Sequence, residues 1–467
     1  MNRRNFISTA AAAATSPIFA QTASPRERPN FIFILADDLG WSDLGCYGHP
    51  FIKTPNLDRL ASQGTRFTHF YTNSAVCSPS RVAFVTGNFP ARHRIHSALD
   101  APDVNKQNGS ADFLDPAATN LARVLKQSGY TTAHFGKWHL SSTANDPKPA
   151  AYGFDEFRTS WPHAASDPYF WSKTTEMIVD DAIQFIENNR DKPFFVNLWT
   201  LIPHAILNPT PAEMARYSDF GPPNVPYKGA HPIYYGAVSG LDDHIGRLLT
   251  RLSELGLDQN TVVIFSSDNG PEDIDIYSVN HSGVGSTGAF RGRKRSLYEG
   301  GVRVPFLVRW PNKVPAGRVD TTTIASAVDL LPTLSKLAGA ALPSSFQADG
   351  EDISSALTGA AYKRRKPLLW EWRFDIYGHA VNRSPMLAIR DDDWKLLMNP
   401  DRSRVELFNV PRDPTELQNL ADRESKIVSR LSRPLLEWHK SLPPGPLRPS
   451  AGKNDFPSPS LARKPQR

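Results

Sequence analysis

The chain predicts an α/β protein: a large, mostly parallel central sheet flanked by helices, with a smaller C-terminal α+β domain containing a short antiparallel sheet. Three observations carry this. Apolar, β-rich runs alternate with helical patterns from about residue 29 to 340, as repeated strand–helix–strand units require. Phe31-Ile32-Phe33-Ile34-Leu35-Ala36 is apolar without interruption, as a strand buried on both faces must be. After Gly350 the texture changes to short strand-like runs separated by turns.

The elements follow in order. Phe31–Ala36 is the first strand. Asn120 caps a helix through Ser128, which Gly129 ends, and Tyr130–Phe135 is the next strand. Ile178, Ala182, Phe185 and Ile186 mark the inner face of a second helix, which leads into the strand Phe194–Trp199. Leu241, Ile245, Leu248, Leu252 and Leu255 mark a third helix, closed by Gly256 and followed by the strand Thr261–Phe265. Beyond Gly350, Pro367–Arg373, Met386–Arg390 and Trp394–Met398 predict short strands, and Arg423–His439 a charged helix. From Pro443 the chain is rich in Pro, Ser, Lys and Arg with little apolar content, which predicts a disordered tail. The predicted divisions are 1–25, 26–350, 351–442 and 443–467.

A length of 467 residues with 40% hydrophobic content suits one large domain plus a smaller one. The net charge of +6 is spread out, and no long basic block lies beside aromatics, so a nucleic-acid footprint is excluded. Met1-Asn2-Arg3-Arg4-Asn5-Phe6-Ile7, followed by an Ala-rich stretch to about Ala20, resembles a twin-arginine export signal. That stretch is too short to span a membrane, and no later run is long enough. The expected location is therefore periplasmic or extracellular, reached through the twin-arginine export machinery. In an exported protein the two cysteines, Cys46 and Cys77, raise the alternative of a disulfide. Cys46 reads instead as a small buried residue.

Ligands of open α/β sheets bind at the carboxyl ends of the strands. Four predicted strands end in chemistry: Asp37-Asp38; Gly136-Lys137-Trp138-His139; Pro203-His204; and Asp268-Asn269-Gly270. Asp37, Asp38, Asp268 and Asn269 are oxygen donors, the ligand set of a hard cation such as Ca²⁺ or Mg²⁺. Cys77-Ser78-Pro79-Ser80-Arg81 precedes Thr86-Gly87. Helical spacing puts Cys77 and Arg81 on one face, and Pro79 is tolerated in a first turn. A basic stretch, Arg291-Gly292-Arg293-Lys294-Arg295, leads through Glu299-Gly300-Gly301 to the apolar run Phe306-Leu307-Val308. The glycine pair is expected to let a lysine-bearing loop turn back over the pocket.

Together these segments, from Pro29 to about Leu420, resemble the type I sulfatases of the alkaline phosphatase superfamily. The Gly285–Gly288 loop and Arg291–Lys294 look similar to bacterial relatives of arylsulfatase A and N-acetylgalactosamine-6-sulfatase. The resemblance implies that a formylglycine-generating maturation enzyme oxidises Cys77 to 3-oxoalanine, whose hydrated aldehyde is the nucleophile. It implies that Asp37, Asp38, Asp268 and Asn269 bind one calcium ion together with modified Cys77. It assigns Arg81, Lys137, His139, His204 and Lys294 to catalysis and sulfate binding, with a sulfated sugar or aryl sulfate as substrate. Phe84 and Val85 stand where leucines are common in the family. Ser160 and His163 are candidates for a further substrate contact; Trp161, Trp171 and Trp372 have the shape to stack on a sugar ring, although tryptophans of this kind are more often core residues.

The residue types suit that reaction. Three carboxylates, a divalent metal and the cations Arg81, Lys137 and Lys294 leave the pocket with about two positive charges, which favours an anion and its developing charge. One hydroxyl of the hydrated aldehyde attacks sulfur, and His204, aided by Lys294, protonates the leaving oxygen. His139 then takes the proton of the second hydroxyl, and sulfate is expelled. A phosphonate or phosphate ester hydrolase of the same superfamily and a noncatalytic carbohydrate-binding relative are the alternatives.

Overall fold

The computed structural model describes residues 28–159, 170–220, 230–273 and 281–456. The candidate export segment, Ser160, Trp161 and His163 lie outside the described residues, as does the side chain of Trp171.

The main sheet contains β1 (Asn30–Ala36), β2 (Thr65–Tyr71), β3 (Thr131–Gly136), β4 (Glu156–Thr159) and β5 (Phe194–Trp199). It continues with β6 (Thr261–Ser267), β7 (Arg303–Arg309), β8 (Arg318–Asp320) and β9 (Ala325–Ser326). The strand order is β4-β3-β5-β1-β6-β7-β2-β8, with β9 also on β2. β1 is the pivot: Ile34 lies opposite Leu198 of β5 and Phe265 of β6, both in parallel register. β7 runs antiparallel to β6 and β2, so the sheet is mixed but mostly parallel, as the sequence predicts.

The unbroken apolar run of β1 is explained by two cores. Side chains alternate between the faces of a strand. Phe31, Phe33 and Leu35 pack with Val82 and Phe84 of the helix Cys77–Thr86 and with Leu331 and Leu334 of the helix Leu330–Ala338. Ile32 and Ile34 pack on the other face with Ile178 and Ala182 of the helix Phe170–Asn188 and Leu241 and Ile245 of the helix Ala230–Glu254. The short helix Leu121–Gln127 starts as predicted, with Asn120 Oδ1 accepting from Arg123 N at 3.0 Å.

The C-terminal sheet is an antiparallel meander of β10 (Leu368–Glu371), β11 (Leu387–Asp391), β12 (Trp394–Met398) and β13 (Glu406–Asn409), followed by the helix Ser425–Ser441. β13 is an addition to the sequence-based strands. The stretch 443–456 also differs from the disordered tail expected. Arg448 N donates to Arg373 O at 3.2 Å, and Arg404 and Asn399 donate to Gly452 O at 2.7 and 3.2 Å. These bonds satisfy side chains of the C-terminal unit, a service that composition does not reveal. Among the described residues no helix is long and apolar enough to cross a membrane.

Gly136 ends β3 at φ +109°, and a Cβ there would lie 1.9 Å from Trp199 O. Gly136→Ala is expected to cost about 3 kcal/mol, read as a lowered melting temperature. An unchanged melt would mean that the β3–β5 junction relaxes freely around a methyl group.

Candidate active site

The topology gathers the candidate residues. β1, β3, β5 and β6 are parallel, so their carboxyl ends share one edge. β2 is antiparallel to β7, itself antiparallel to β6, so β2 ends and β7 begins at that same edge. Asp37-Asp38, Lys137, His204, Asp268 and Cys77 follow those strand ends, and Lys294 precedes β7.

Cys77 opens the helix Cys77–Thr86, every residue of which is buried. Its Sγ lies 3.5 Å from Asp37 Oδ1 and 3.9 Å from Asp38 Oδ1. Ligand atoms of Asp37, Asp38, Cys77 and Asp268 all lie within 4.8 Å of one another. Asn269 Nδ2 donates to Asp38 Oδ1 at 2.7 Å, whereas Asn269 Oδ1 is buried without a hydrogen-bond partner. A buried amide oxygen with no donor, set beside three carboxylates, fits a hard cation. Both cysteines are free, and Cys46, predicted to be buried, is half-buried against the core.

Cations surround the cluster. Arg81, one helical turn after Cys77, donates from Nε and Nη2 to Asp268 Oδ2 at 3.0 and 2.7 Å, and from Nη1 to Lys137 O at 2.7 Å. Lys137 Nζ is 2.5 Å from Asp37 Oδ2, and Lys294 Nζ is 2.6 Å from Asp38 Oδ2. Burial pushes the Asp37 carboxyl up, but the charges of Lys137, His204 and Arg81 overcome this and hold it well below the usual carboxylate range. Burial and the adjacent Asp37 charge push Asp268 up to about 7 despite Arg81. Burial thus works against ionised Asp268 even beside these cations, and a divalent ion would favour its charged form.

The histidines flank it. His204 Nδ1 donates to Ala205 O at 2.6 Å, leaving Nε2 3.7 Å from Asp38 Oδ2. Burial and the Lys294 charge lower its pKa. His139 Nε2 donates to Leu99 O at 3.0 Å, which puts the lone pair of the neutral ring on Nδ1. Burial and Lys137 hold His139 well below the ordinary histidine value. Asp38, His139 and Arg295 all adopt left-handed backbone, with φ of +66°, +53° and +74°. Such strain in non-glycine residues concentrates at functional sites.

Two residues escape the sequence reading. Glu272 is buried, 3.6 Å from Lys294 Nζ, and held by Arg295 at 2.5 and 3.1 Å. Their only signal is proximity in sequence to Asp268 and Lys294. The glycine pair also works differently from expectation. Neither Gly300 nor Gly301 has positive φ, but added Cβ atoms would lie 2.2 Å from Gly292 O and 2.0 Å from Ser296 O. They permit close backbone approach rather than an unusual turn. Trp372 is buried in a core with Phe374, the more common of the two places the sequence leaves open for it.

The comparisons with known proteins agree with this geometry. Residues 29–340 match the family model described as Sulfatase, and residues 285–441 match that for the C-terminal region of N-sulphoglucosamine sulphohydrolase. The chain is 35% identical to arylsulfatase A of Bos taurus, across 87% of this chain and 85% of that protein. It is 32% identical to N-acetylgalactosamine-6-sulfatase of Canis lupus familiaris, across 91% and 88% respectively. The solved structure of Ps i-CgsB in complex with k-i-k-neocarrahexaose superposes with a TM-score of 0.74 at 27% identity, covering 88% of this chain and 92% of that one. With two thirds of its length under one family model and a buried carboxylate–cysteine cluster at the sheet edge, the chain belongs to the sulfatase family of sulfuric ester hydrolases.

Proposed function

We propose that this protein removes sulfate from a sulfated carbohydrate or aryl sulfate, using formylglycine made from Cys77 and one bound calcium ion, after export from the cytoplasm. The observation that carries the reading is the meeting of Cys77 with Asp37, Asp38 and Asp268, beside the unpartnered oxygen of Asn269. Asp37, Asp38, Asp268 and Asn269 would hold calcium beside modified Cys77. When bound, the ion supplies positive charge toward a sulfate oxygen, and the hydrated aldehyde supplies a nucleophilic hydroxyl.

The remaining steps belong to the chain's own side chains. Arg81 orients the Asp268 carboxylate by its two-point contact. Lys137 and Lys294 point their ammonium groups into the cluster and take up sulfate oxygens there. His204 presents Nε2 to the leaving oxygen and delivers its proton once protonated there. The negative charge of the arriving sulfate ester offsets the burial and Lys294 that depress its basicity. His139 accepts a proton at Nδ1, its orientation fixed by Leu99 O.

Mass spectrometry of the native Cys77 peptide tests the reading. Loss of H₂S and gain of one oxygen at Cys77, with Cys46 unaltered, is the expected result. A Cys46–Cys77 disulfide in active enzyme would overturn it. Turnover of aryl sulfate should exceed that of aryl phosphate diesters; the reverse preference would make the protein a phosphonate or phosphate ester hydrolase.

A further inference from the structure

The loop that delivers Lys294 to Asp38 is fastened from two sides: Lys294 N and Arg295 N donate to Pro271 O and Ala75 O at 2.9 and 2.8 Å, and the flanking residues are tied to the C-terminal unit. Asn382 Oδ1 accepts from Gly292 N at 3.3 Å, Ser384 Oγ from Leu297 N at 3.0 Å, and Glu416 Oε2 from Glu299 N at 2.6 Å. Glu299 is the centre of this attachment. Its Oε1 lies 2.9 Å from Lys395 Nζ, and its Oε2 accepts from Tyr71 OH at 2.7 Å and from Arg303 at 3.2 Å. Lys395, on β12, also lies 3.0 Å from Glu416 Oε1. Glu299, Lys395 and Glu416 are each 0% exposed.

One ammonium therefore holds two buried carboxylates together. Deprived of it, Glu416 loses its cation, which is strongly unfavourable for a buried charge, while Glu299 keeps Arg303 at 3.2 Å and Arg390 at 3.7 Å, so the side-chain bridge between the two carboxylates is gone. The Glu299 N–Glu416 bond, close in sequence to Lys294, is then left without that bridge beside it. We propose that Lys395 is a positioning residue for the reaction: through Glu299 and Glu416 it sets the pose of Lys294. This rests on the catalytic place given to Lys294 above.

Lys395→Met alone strands the Glu416 carboxylate, so the charge-balanced pair Lys395→Met with Glu416→Gln, which removes the ammonium bridge without stranding a charge, is the main probe. Tyr71→Phe, which removes only one hydrogen bond to Glu299, is the second. kcat/KM for nitrophenyl sulfate and bound calcium are measured well below the melting temperature, in the parent and in a Lys294→Ala background. The charge-balanced variant is expected to lose between about tenfold and a hundredfold in kcat/KM, as for a catalytic group displaced by roughly an ångström. Tyr71→Phe is expected to lose about threefold, with calcium unchanged in both. In the Lys294→Ala background neither should lower the rate further, because the misplaced group is already gone.

Losses that multiply with Lys294→Ala, or rates within about twofold of the parent for the charge-balanced variant, would overturn the proposal. If the charge-balanced variant does not fold, Tyr71→Phe decides by the same non-additivity, and a parental rate for it overturns the proposal. If Lys294→Ala itself turns over at the parental rate, the catalytic assignment of Lys294 fails first, and the proposal falls with it.

Discussion

Asp268→Ala is expected to lose calcium and turnover together, with kcat/KM falling by about a thousandfold or more. Asp268 contributes an oxygen to the acidic cluster, accepts Asp38 N at 3.1 Å, and anchors Arg81 through two bonds. Its removal leaves the ion short of a ligand and Arg81, 0% exposed, without its closest counter-charge. That second loss costs about 3–5 kcal/mol by itself, so calcium content is to be measured on protein shown to be folded. Asp268→Asn, which keeps an oxygen for Asp38 N, separates the two effects. Lys137→Ala should behave differently, keeping calcium while losing turnover, because an ammonium group is not a ligand. Normal calcium and normal turnover in Asp268→Ala would remove that residue from the site.

His204→Ala is expected to cut activity on a sulfated sugar by about a hundredfold or more, and on nitrophenyl sulfate by less than about tenfold. A sugar alkoxide is far more basic than nitrophenolate, so its departure depends on a delivered proton. The Nδ1–H of His204 is committed to Ala205 O, which aims Nε2 toward the pocket. His139 makes no such choice between leaving groups in the proposed scheme. Its loss should slow both substrates alike wherever the step after departure limits the rate. Equal losses for His204→Ala on both substrates, with bond breaking shown to limit the rate, would move the acid to another residue.

The central strands were legible because they are buried on both faces. Phe194–Trp199 is the strand the sequence predicts, and β1, β3 and β6 differ only at their ends. β2 is not legible in the same way. Its Thr, Arg and His interrupt the apolar pattern, and it carries a register shift between Phe67 and Phe70. Nor does composition reveal that β7 runs antiparallel, since a buried strand is apolar in either direction. The site was legible where residues close a strand, as Asp37, Lys137 and Asp268 do. Glu272 and Arg295 were not, because their pairing depends on a loop returning to the sheet edge. The Lys395–Glu299–Glu416 contacts join distant segments that share no motif.

The complete burial of Cys77–Thr86 sets a deadline. The maturation enzyme proposed above would have to grip several neighbouring residues in its own cleft, and the finished fold offers none of them. On that proposal, modification and collapse would race at this helix. If ribosomes outpaced that modifier, part of the protein would reach its native shape with an unaltered thiol, whose pKa burial pushes up. Such molecules would melt and migrate much like their neighbours yet never turn over. Specific activity would then be a record of how quickly the chain was made.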